Sequence, residues 1–484
     1  MELAALRPVR ASGLYEGLVE GRRFVHNPRG FDALAVLSQR AGRLLDSCDG
    51  RPLGELAAAL DAPVSALEPE LRLLGANGFV TGEGVTPARR PAPGPRRFDL
   101  WVHVTNACNL DCPYCYIEKD AAHLNESVAT TLQRAILHSI ETRGLKAFHL
   151  RFAGGEPLLR FEFIRTFFED TRRKVEALGA TLSAAILTNG TRVDDAIARW
   201  CRESRVSVSV SIDGVGVTQD AMRPRVGGGG SFALVEAGLD TLARHGVAPY
   251  ALVTVGDTNL AALPALTRYL VDRGLGFRYS LVRDLEGRGA LLDARSTGWR
   301  VDPRLVTLRR KTAPREAEGG ILGGAALDRV LSVFSECYDL IEAAVPRAGL
   351  SFRQTHRFCD LEWRRPIAKA CAAGEGSLAV GHDGQLSLCQ AALHTEGTKA
   401  LAPDAALDAV APTVTHLANF RRAAPNDECS GCRFRSSCAG GCPLLLHRRD
   451  GHVNGRSPYC EVFRYVLPRI LRIAARELIV TPRR

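Results

Sequence analysis

The sequence lacks any apolar run long enough to cross a membrane, and it does not open with a signal peptide. Its first residues, Met1 to Arg7, are too short and too charged to direct export. These two absences predict a cytoplasmic protein without a membrane partner. The 46% hydrophobic and 24% charged residues are typical of a globular protein. A chain of 484 residues predicts about two to four domains.

Fourteen cysteines in a chain without an export signal indicate metal ligation in a reducing compartment rather than disulfides. The net charge of +10 comes mostly from arginine. That charge fits an ordinary solvated surface, and it also fits an acidic partner such as a peptide or a nucleic acid. Charge alone does not choose between them.

Three cysteines, Cys108, Cys112 and Cys115, are spaced C-x3-C-x2-C directly after a strand-like segment at 100–104. Three thiolates on one short loop can ligate three irons of a [4Fe–4S] cluster, which leaves the fourth iron open. An open iron can bind a small molecule, as chemistry at a cluster requires. A structural zinc site is the alternative, but such sites usually contain C-x2-C pairs and close all four positions.

This spacing, with Tyr114 before the third cysteine, resembles the signature of radical S-adenosylmethionine (SAM) enzymes. The resemblance implies that SAM binds the open iron through its amino and carboxylate groups. It implies that an electron from the cluster cleaves SAM to a 5′-deoxyadenosyl radical, and that Tyr114 packs near the adenine. A reductant such as flavodoxin or ferredoxin is then expected as a partner.

A second motif follows one strand and one helix later, where a strand-like segment at 149–153 ends in Gly154, Gly155, Glu156 and Pro157. It matches the GGEP motif of the same family. The glycines would let the backbone approach SAM, and the Glu156 carboxylate would accept from the SAM ammonium. An ordinary turn is the alternative, and the position after the cysteine motif argues against it.

Further SAM contacts are expected at the ends of the next two strands. These candidates are Thr188, Asn189, Ser209, Ser211 and Asp213. The three hydroxyl residues would contact the ribose, with plain capping of strand ends as the alternative. Arg223 is the candidate for the SAM carboxylate, because a guanidinium matches a carboxylate, and Arg225 competes with it. The segment 211–232 resembles a run found in peptide-modifying members of the family.

Strands and helices alternate from residue 98 to 285, which predicts an α/β fold with a parallel sheet. Six or so strands suit a partial (β/α)6 TIM-like barrel with its ligands at the C-terminal strand ends. Residues 286–358 are expected to form a bridging or insertion region, and the stretch 284–318 is rich in arginine and glycine. The candidate general bases are Asp220, Asp257, Asp284 and Glu362.

Residues 1–86 predict a small winged-helix-like domain, followed by a Pro/Arg-rich linker at 87–97. Two strand-like segments come before three helices, predicted at 31–45, 53–60 and 64–74. The pattern resembles the PqqD-like recognition domain of enzymes that mature ribosomal peptides. There, a leader peptide adds as a strand to the sheet edge. A DNA-binding winged helix and a structural cap are the alternatives.

The C-terminal residues 359–484 resemble the SPASM domain, whose seven cysteines hold two auxiliary [4Fe–4S] clusters. The matching residues are Cys371, Cys389, Cys429, Cys432, Cys438, Cys442 and Cys460. By resemblance, the outer cluster would be held by Cys429, Cys432, Cys438 and Cys460, and the inner one by Cys371, Cys389 and Cys442. Cys359 is the candidate for the fourth inner ligand; without it, that cluster would keep an open iron. Zinc knuckles are the alternative.

Together these motifs predict a radical SAM enzyme with three [4Fe–4S] clusters that modifies a ribosomally made precursor peptide, recognised through its leader. The product would be an oxidative cross-link, either a thioether or a carbon–carbon bond. One alternative is formylglycine formation by an anaerobic sulfatase-maturating type of enzyme, whose folded client needs no leader-binding domain. The other is an iron–sulfur winged-helix regulator, which leaves the GGEP motif unexplained, so nucleic acid is not an expected partner.

Overall fold

The computed structural model describes residues 3–85, 97–282, 299–302, 307–310, 324–345, 352, 356–368, 371, 373–374, 376–393, 398–410, 429–450 and 455–480. The predicted linker at 87–97 lies outside these ranges except for its last residue, as does most of the stretch 284–318. No helix within the described ranges is long and apolar enough to span a membrane.

The N-terminal region, residues 3–85, combines two small sheets with three helices. Its strands are β1 (Val9–Arg10), β2 (Tyr15–Val19), β3 (Arg22–His26), β4 (Leu34–Val36) and β5 (Val80–Thr81), and its helices are α1 (Gln39–Ser47), α2 (Leu53–Ala59) and α3 (Val64–Ala76). Strands β2, β3 and β4 form an antiparallel sheet, and β1 pairs with β5. These elements enclose a hydrophobic core of their own, which includes Leu44, Leu67 and Phe79.

The first helix begins later than the sequence predicts. In place of one helix over 31–45, the structure has strand β4 followed by α1. The side chain of Ser38 caps the helix by accepting a hydrogen bond from the Ala41 N–H at 3.0 Å. A short apolar run fits either a strand or one turn of a helix, and here pairing with β3 selects the strand.

The central sheet is built on six parallel strands that lie side by side in chain order. They are β6 (Arg97–Thr105), β7 (Ala147–Gly154), β8 (Thr181–Thr188), β9 (Ser207–Ser211), β10 (Tyr250–Val255) and β11 (Gly276–Leu281). The connecting helices are α4 (Glu126–Arg143), α5 (Phe161–Ala177), α6 (Asp195–Ser204), α7 (Val217–Met222), α8 (Phe232–Arg244), α9 (Asp257–Leu260) and α10 (Leu263–Asp272). This arrangement confirms the predicted α/β class and its parallel sheet.

Two strands from the C-terminal part of the chain extend this sheet at both edges, which the sequence does not predict. The remaining strands are β12 (Trp299–Asp302), β13 (Thr307–Arg310), β14 (His356–Phe358), β15 (Ser377–Val380), β16 (Gln385–Ser387) and β17 (Lys399–Ala400). Strand β14 pairs parallel with β11, and β15 pairs parallel with β6. Strands β16 and β17 continue antiparallel beyond β15, while β12 and β13 pair separately.

The C-terminal helices connect the barrel to the N-terminal region. They are α11 (Gly324–Ala344), α12 (Leu407–Val410), α13 (Arg435–Cys438), α14 (Pro443–Asp450) and α15 (Cys460–Val480). Helix α15 packs against α11 on one side and against β2, β3 and β4 on the other. Its Arg476 Nε donates to Glu20 Oε1 at 2.9 Å. The two ends of the chain are therefore in direct contact.

Candidate functional site

The cysteine loop, residues 106–116, follows β6 and is held by backbone hydrogen bonds on two sides. From the end of β7, the Gly155 N–H donates to Thr105 O at 2.7 Å and the Glu156 N–H donates to Ala107 O at 2.8 Å. From the other side, the Asp111 N–H donates to Pro224 O at 2.7 Å. These bonds fix the loop at the C-terminal end of the sheet.

The two glycines of the GGEP motif are required by this contact. A Cβ atom on Gly154 would lie 2.3 Å from Thr105 O, and one on Gly155 would lie 2.2 Å from Ala107 O. Gly154 also has φ +151°, which disfavours other residues. The sequence predicts that these glycines approach a ligand; they line the cavity described next, and they also let β7 pack against the cysteine loop.

A cavity of about 260 Å³ lies between the cysteine loop and the C-terminal ends of the strands. All three motif cysteines line it. The predicted SAM contacts that also line it are Tyr114, Gly154, Gly155, Thr188, Asn189, Ser211 and Arg223. Residues that are up to 115 positions apart in the chain, from Cys108 to Arg223, thus surround one space.

Glu156 differs from its predicted role. The predicted contacts outside the cavity lining are Glu156, Pro157, Ser209 and Asp213. Glu156 is fully buried, and its carboxylate accepts from Thr188 Oγ1 at 2.6 Å, the Asn189 N–H at 2.7 Å and the Leu158 N–H at 2.9 Å. Burial raises the pKa of Glu156, and these three donors oppose that rise. The carboxylate ties the end of β7 to the end of β8.

Asp213 is a buried acceptor shared by Tyr114 and Arg223. The Tyr114 hydroxyl and Arg223 Nε both donate to its Oδ2, the latter at 2.6 Å, and the Thr254 N–H donates to its Oδ1 at 2.7 Å. Burial raises the pKa of Tyr114 well above its usual value, so the phenol stays protonated and donates. Arg223 borders the cavity, but its charge is already paired with a carboxylate; any contact with the SAM carboxylate would share that guanidinium.

The motif thiols are buried but surrounded by N–H donors. Burial raises the pKa of Cys108 to about 11 and that of Cys112 to about 12. Against this, Asn189 Nδ2 lies 3.9 Å from Cys108 Sγ, and Arg223 Nη1 lies 4.0 Å from Cys112 Sγ. Such donors stabilise thiolates, the form that ligates iron, and they tune a bound cluster. The three thiols therefore fit a cluster that faces the cavity.

Lys119 is a functional candidate that the sequence analysis missed, although it stands four residues after the last motif cysteine. Its side chain is 3% exposed, and its Nζ donates to Leu110 O at 2.8 Å and Asp111 Oδ1 at 3.1 Å. Burial lowers the pKa of Lys119, but the three cysteines and Asp111 outweigh burial and raise it. A buried cation beside three thiols offsets the negative charge of thiolates.

Other missed residues lie on strands that the sequence predicts. Trp101, Leu252, Thr254, Arg278, Ser280 and Gln390 also line the cavity. Alternate residues of a strand face the same side, so Leu252 and Thr254 form one pair and Arg278 and Ser280 another. Period-two alternation is the signal that finds them. Gln390 comes from the C-terminal cysteine region, directly after Cys389.

The candidate general bases do not border the cavity. Asp220 Oδ1 accepts from the Ser231 and Phe232 N–H groups at the start of α8. Glu362 Oε1 accepts from the Arg364 N–H. Asp284 lies outside the described residues. The other three, Asp257 included, are absent from the cavity lining.

A second, smaller cavity gathers the four cysteines predicted for the outer cluster. Cys429, Cys432, Cys438 and Cys460 all line this space of about 30 Å³, together with apolar side chains such as Phe463. Burial raises the pKa of Cys438 to about 12. These four thiols, presented by three separate segments to one largely apolar space, fit the predicted cluster.

The cysteines predicted for the inner cluster occupy other positions. Cys371 is exposed, Cys389 precedes a 3-10 turn at Gln390–Ala392, and Cys442 precedes α14. Cys359 follows β14, where its N–H donates to Tyr279 O at 2.8 Å. Among the residues with described placement, no three His, Cys, Asp or Glu side chains are grouped so that they could hold a single metal ion.

Comparison with known proteins identifies the central part of the chain. The Radical SAM superfamily profile matches residues 102–262. A serine-type anaerobic sulfatase-maturating enzyme of Klebsiella pneumoniae is 27% identical over 349 residues, covering 70% of this chain and 80% of the relative. A pre-heme d1 synthase of Dinoroseobacter shibae is 30% identical over 205 residues, covering 42% and 48%.

Two solved structures share the fold. The structure of anSMEcpe with bound AdoMet and Kp18Cys peptide superimposes with a TM-score of 0.60 at 17% identity, covering 78% of this chain and 99% of the other. Streptococcus suis SuiB bound to precursor peptide SuiA gives a TM-score of 0.50 at 12% identity, covering 93% and 98%. Residues 102–262, which contain the cysteine loop and the GGEP turn, therefore form a radical SAM domain, and the chain is an enzyme of the radical SAM superfamily.

Proposed function

We propose that this enzyme modifies a ribosomally made precursor peptide and installs an oxidative cross-link, either a thioether or a carbon–carbon bond. The observation that carries the proposal is the docked N-terminal region. The Tyr15 ring lies 5.3 Å from the Phe434 ring, between Cys432 and Cys438 in the chain, and Arg476 pairs with Glu20. An element fixed against the cysteine region is suited to deliver a substrate to it.

The extent of the fold likeness supports the same proposal. The SuiB complex with its precursor peptide covers 93% of this chain, and the uncovered 7% is smaller than the N-terminal region. The anSMEcpe structure covers 78%. A precursor-binding enzyme thus matches the N-terminal region as well as the catalytic part.

Residues 1–86 would recognise the leader of the precursor. Strand β2 lies at the outside of the three-stranded sheet, and its Leu18 side chain is 67% exposed. An outer strand can accept a peptide as an additional strand, with main-chain hydrogen bonds for affinity and side-chain pockets for specificity. Linker 87–97 would then join this domain to the catalytic residues 98–285.

SAM and the first [4Fe–4S] cluster would occupy the larger cavity, with the cluster on Cys108, Cys112 and Cys115. The cofactor supplies the radical that takes a hydrogen atom from the substrate. The chain's own residues bury the thiols, place Arg223 and Tyr114 through Asp213, and exclude bulk water from the cavity.

Residues 359–484 would carry the two auxiliary clusters, reached from the catalytic part through residues 286–358. Cys429, Cys432, Cys438 and Cys460 would hold the outer cluster. Cys359, Cys371, Cys389 and Cys442 would hold the inner one, and Gln390 places that segment at the wall of the larger cavity. These clusters would accept the electron released on bond formation, and flavodoxin or ferredoxin would reduce the first cluster.

A second candidate function is oxidation of a client serine or cysteine to formylglycine. The specific observation in its favour is the 27% identity to the Klebsiella pneumoniae enzyme over 70% of the chain. Both functions remove two hydrogen atoms, so the experiment must identify the product and not only its mass.

The test is anaerobic co-expression of the enzyme with a small peptide encoded beside its gene, and Cys112→Ala serves as the inactive control. Removal of two hydrogens lowers the peptide mass by about 2 Da per event. A cross-link leaves that product inert to hydrazide reagents and gives fragment ions that stay joined. A hydrazide-reactive aldehyde would instead support formylglycine formation. An unmodified peptide, together with modification of a sulfatase client, would refute the cross-linking proposal.

A further inference from the structure

The inner part of the larger cavity contains two N–H donors without acceptors. Trp101 Nε1, on β6, and Arg278 Nε, on β11, are both buried, and neither has a hydrogen-bond partner among the described residues. Both side chains line the cavity. Buried donors are nearly always satisfied, since an unmade hydrogen bond costs free energy. An acceptor is therefore missing from this part of the site.

These donors lie away from the cysteine loop. Trp101 stands four residues before Thr105, where β6 meets Gly154, and a strand rises about 3.3 Å per residue, or roughly 13 Å over that distance. Arg278 is likewise followed by three further residues of β11. The proposed cofactor position is at the cysteine loop, so the missing acceptor belongs to the substrate.

The charge of this part of the cavity identifies the acceptor. The other lining cations are paired, Lys119 with Asp111 at 3.1 Å and Arg223 with Asp213 at 2.6 Å. No aspartate or glutamate is among the lining residues. Arg278 has no ion pair within the described part of the chain, so its positive charge is uncompensated there.

The nearest ionisable groups around Arg278 do not supply the missing anion. Arg151 is a second cation, and it pairs with Asp99 at 3.1 Å. Tyr250 is a protonated phenol, because burial raises its pKa to about 12, and its hydroxyl donates to Phe277 O at 2.8 Å. This inner part of the cavity therefore attracts an anion.

We propose that Trp101 and Arg278 form a carboxylate subsite for the substrate. A guanidinium and an indole N–H can donate together to one carboxylate, which is a charge-assisted arrangement. The carboxylate would belong to an acidic side chain or to the C-terminus of the peptide. Only the identity of that ligand rests on the function proposed above. The modified residue should therefore lie close in sequence to an acidic residue or to the chain end.

The test measures binding of small probes to the full-length enzyme by saturation-transfer NMR, without turnover. N-acetyl-aspartate α-amide is compared with N-acetyl-asparagine α-amide, and N-acetylglycine with its amide. The wild-type enzyme should bind a carboxylate probe at least tenfold more tightly than its amide partner. A larger preference in the first pair assigns the subsite to a side chain, and a larger preference in the second assigns it to a chain end.

Variants connect that preference to the two donors. Arg278→Gln should reduce it to less than twofold, while Arg278→Lys should keep most of it and Trp101→Phe should weaken carboxylate binding severalfold. Arg268→Gln removes an exposed arginine from α10 and should change nothing. Equal binding of acid and amide by the wild-type enzyme, or a preference that persists in folded Arg278→Gln, would overturn the proposal. Because no turnover is needed, this result is independent of whether a cross-linked peptide is found.

Discussion

Asp213 determines the positions of two groups at the cysteine loop. Its side chain accepts from Tyr114, Arg223 and the Thr254 N–H, and its own N–H donates to Gln219 Oε1 at 2.7 Å. A carboxylate that is 1% exposed stays charged in such a place only because Arg223 pairs with it. One buried ion pair thereby orients the cavity wall nearest Cys112.

Asp213→Asn should lower both stability and SAM affinity. The amide keeps the shape of the side chain but leaves Arg223 as a buried cation without an anion, which costs about 3 kcal/mol. We expect urea unfolding to show that loss and equilibrium dialysis to show SAM binding weakened about tenfold. Asp220→Asn is the control: it loses a helix cap worth about 1 kcal/mol and should leave SAM binding unchanged. Wild-type SAM affinity in folded Asp213→Asn would contradict the role of Asp213.

Gly155→Ala should disturb the cysteine loop itself. The new Cβ would meet the backbone oxygen of Ala107 at 2.2 Å, and backbone cannot rotate away as a flexible side chain can. Overpacking of this kind costs about 1–3 kcal/mol. We expect less iron per chain after reconstitution and slower SAM cleavage. Gly144→Ala has open space around its Cβ and should keep the iron content of the wild type.

His26 makes stability sensitive to acid. It is fully buried, its Nδ1 contacts Ala33 O at 3.0 Å, and burial lowers its pKa from 6.5 to about 4. Because the folded-state pKa is depressed, stability is complete above pH 6.5 and falls as the unfolded chain takes up a proton between pH 6.5 and 4. The loss amounts to about 3 kcal/mol.

His26→Leu should remove this part of the pH dependence in urea unfolding measured from pH 7 to pH 4. The exposed His123→Gln should leave the profile unchanged. An identical slope in wild type and His26→Leu would show that His26 is not the group responsible.

At the scale of elements, the strands of the barrel were predictable and the strands at its edges were not. Each of the six central strands is a run of five or more residues separated from the next by a helix, so its local pattern is sufficient. Strands β14 and β15 have three and four residues, and only pairing with β11 and β6 makes them strands. Similarly, the cysteine spacing predicted the four thiols of the second cavity, whereas the pairing of Arg223 with Asp213 required the structure.

Strand β2 provides a prediction at this scale. Leu18→Lys places a charge on the outer strand proposed to receive the leader, and Leu18 is 67% exposed, so the fold should be unaffected. Lysine on an outer strand discourages addition of another strand. We expect precursor binding, measured by fluorescence anisotropy, to weaken at least tenfold while SAM cleavage without peptide stays constant. Leu178→Lys, which follows α5, is the matched control and should bind the precursor normally. Undiminished binding by Leu18→Lys would exclude β2 as the docking strand.

For the whole molecule, the contact between the two ends of the chain is the feature that sequence patterns could not give. The N-terminal region reads as a unit because its helices and strands enclose a separate core. Its packing on α15 depends on side chains 300 or more residues away, such as Asp32 with Arg364 at 3.3 Å and Glu20 with Arg476. No local period records such pairs, and charge complementarity alone allows many partners for each arginine.

The edge strands β14 and β15 also set an order for biosynthesis. A nascent chain that has emerged only as far as α11 already contains β6 to β11, but both outer strands of that sheet still present unpaired backbone groups. Protection of the barrel therefore waits for the last third of the chain to be translated. Premature termination before residue 356 would release a polypeptide with two adhesive edges, prone to aggregate with its own copies.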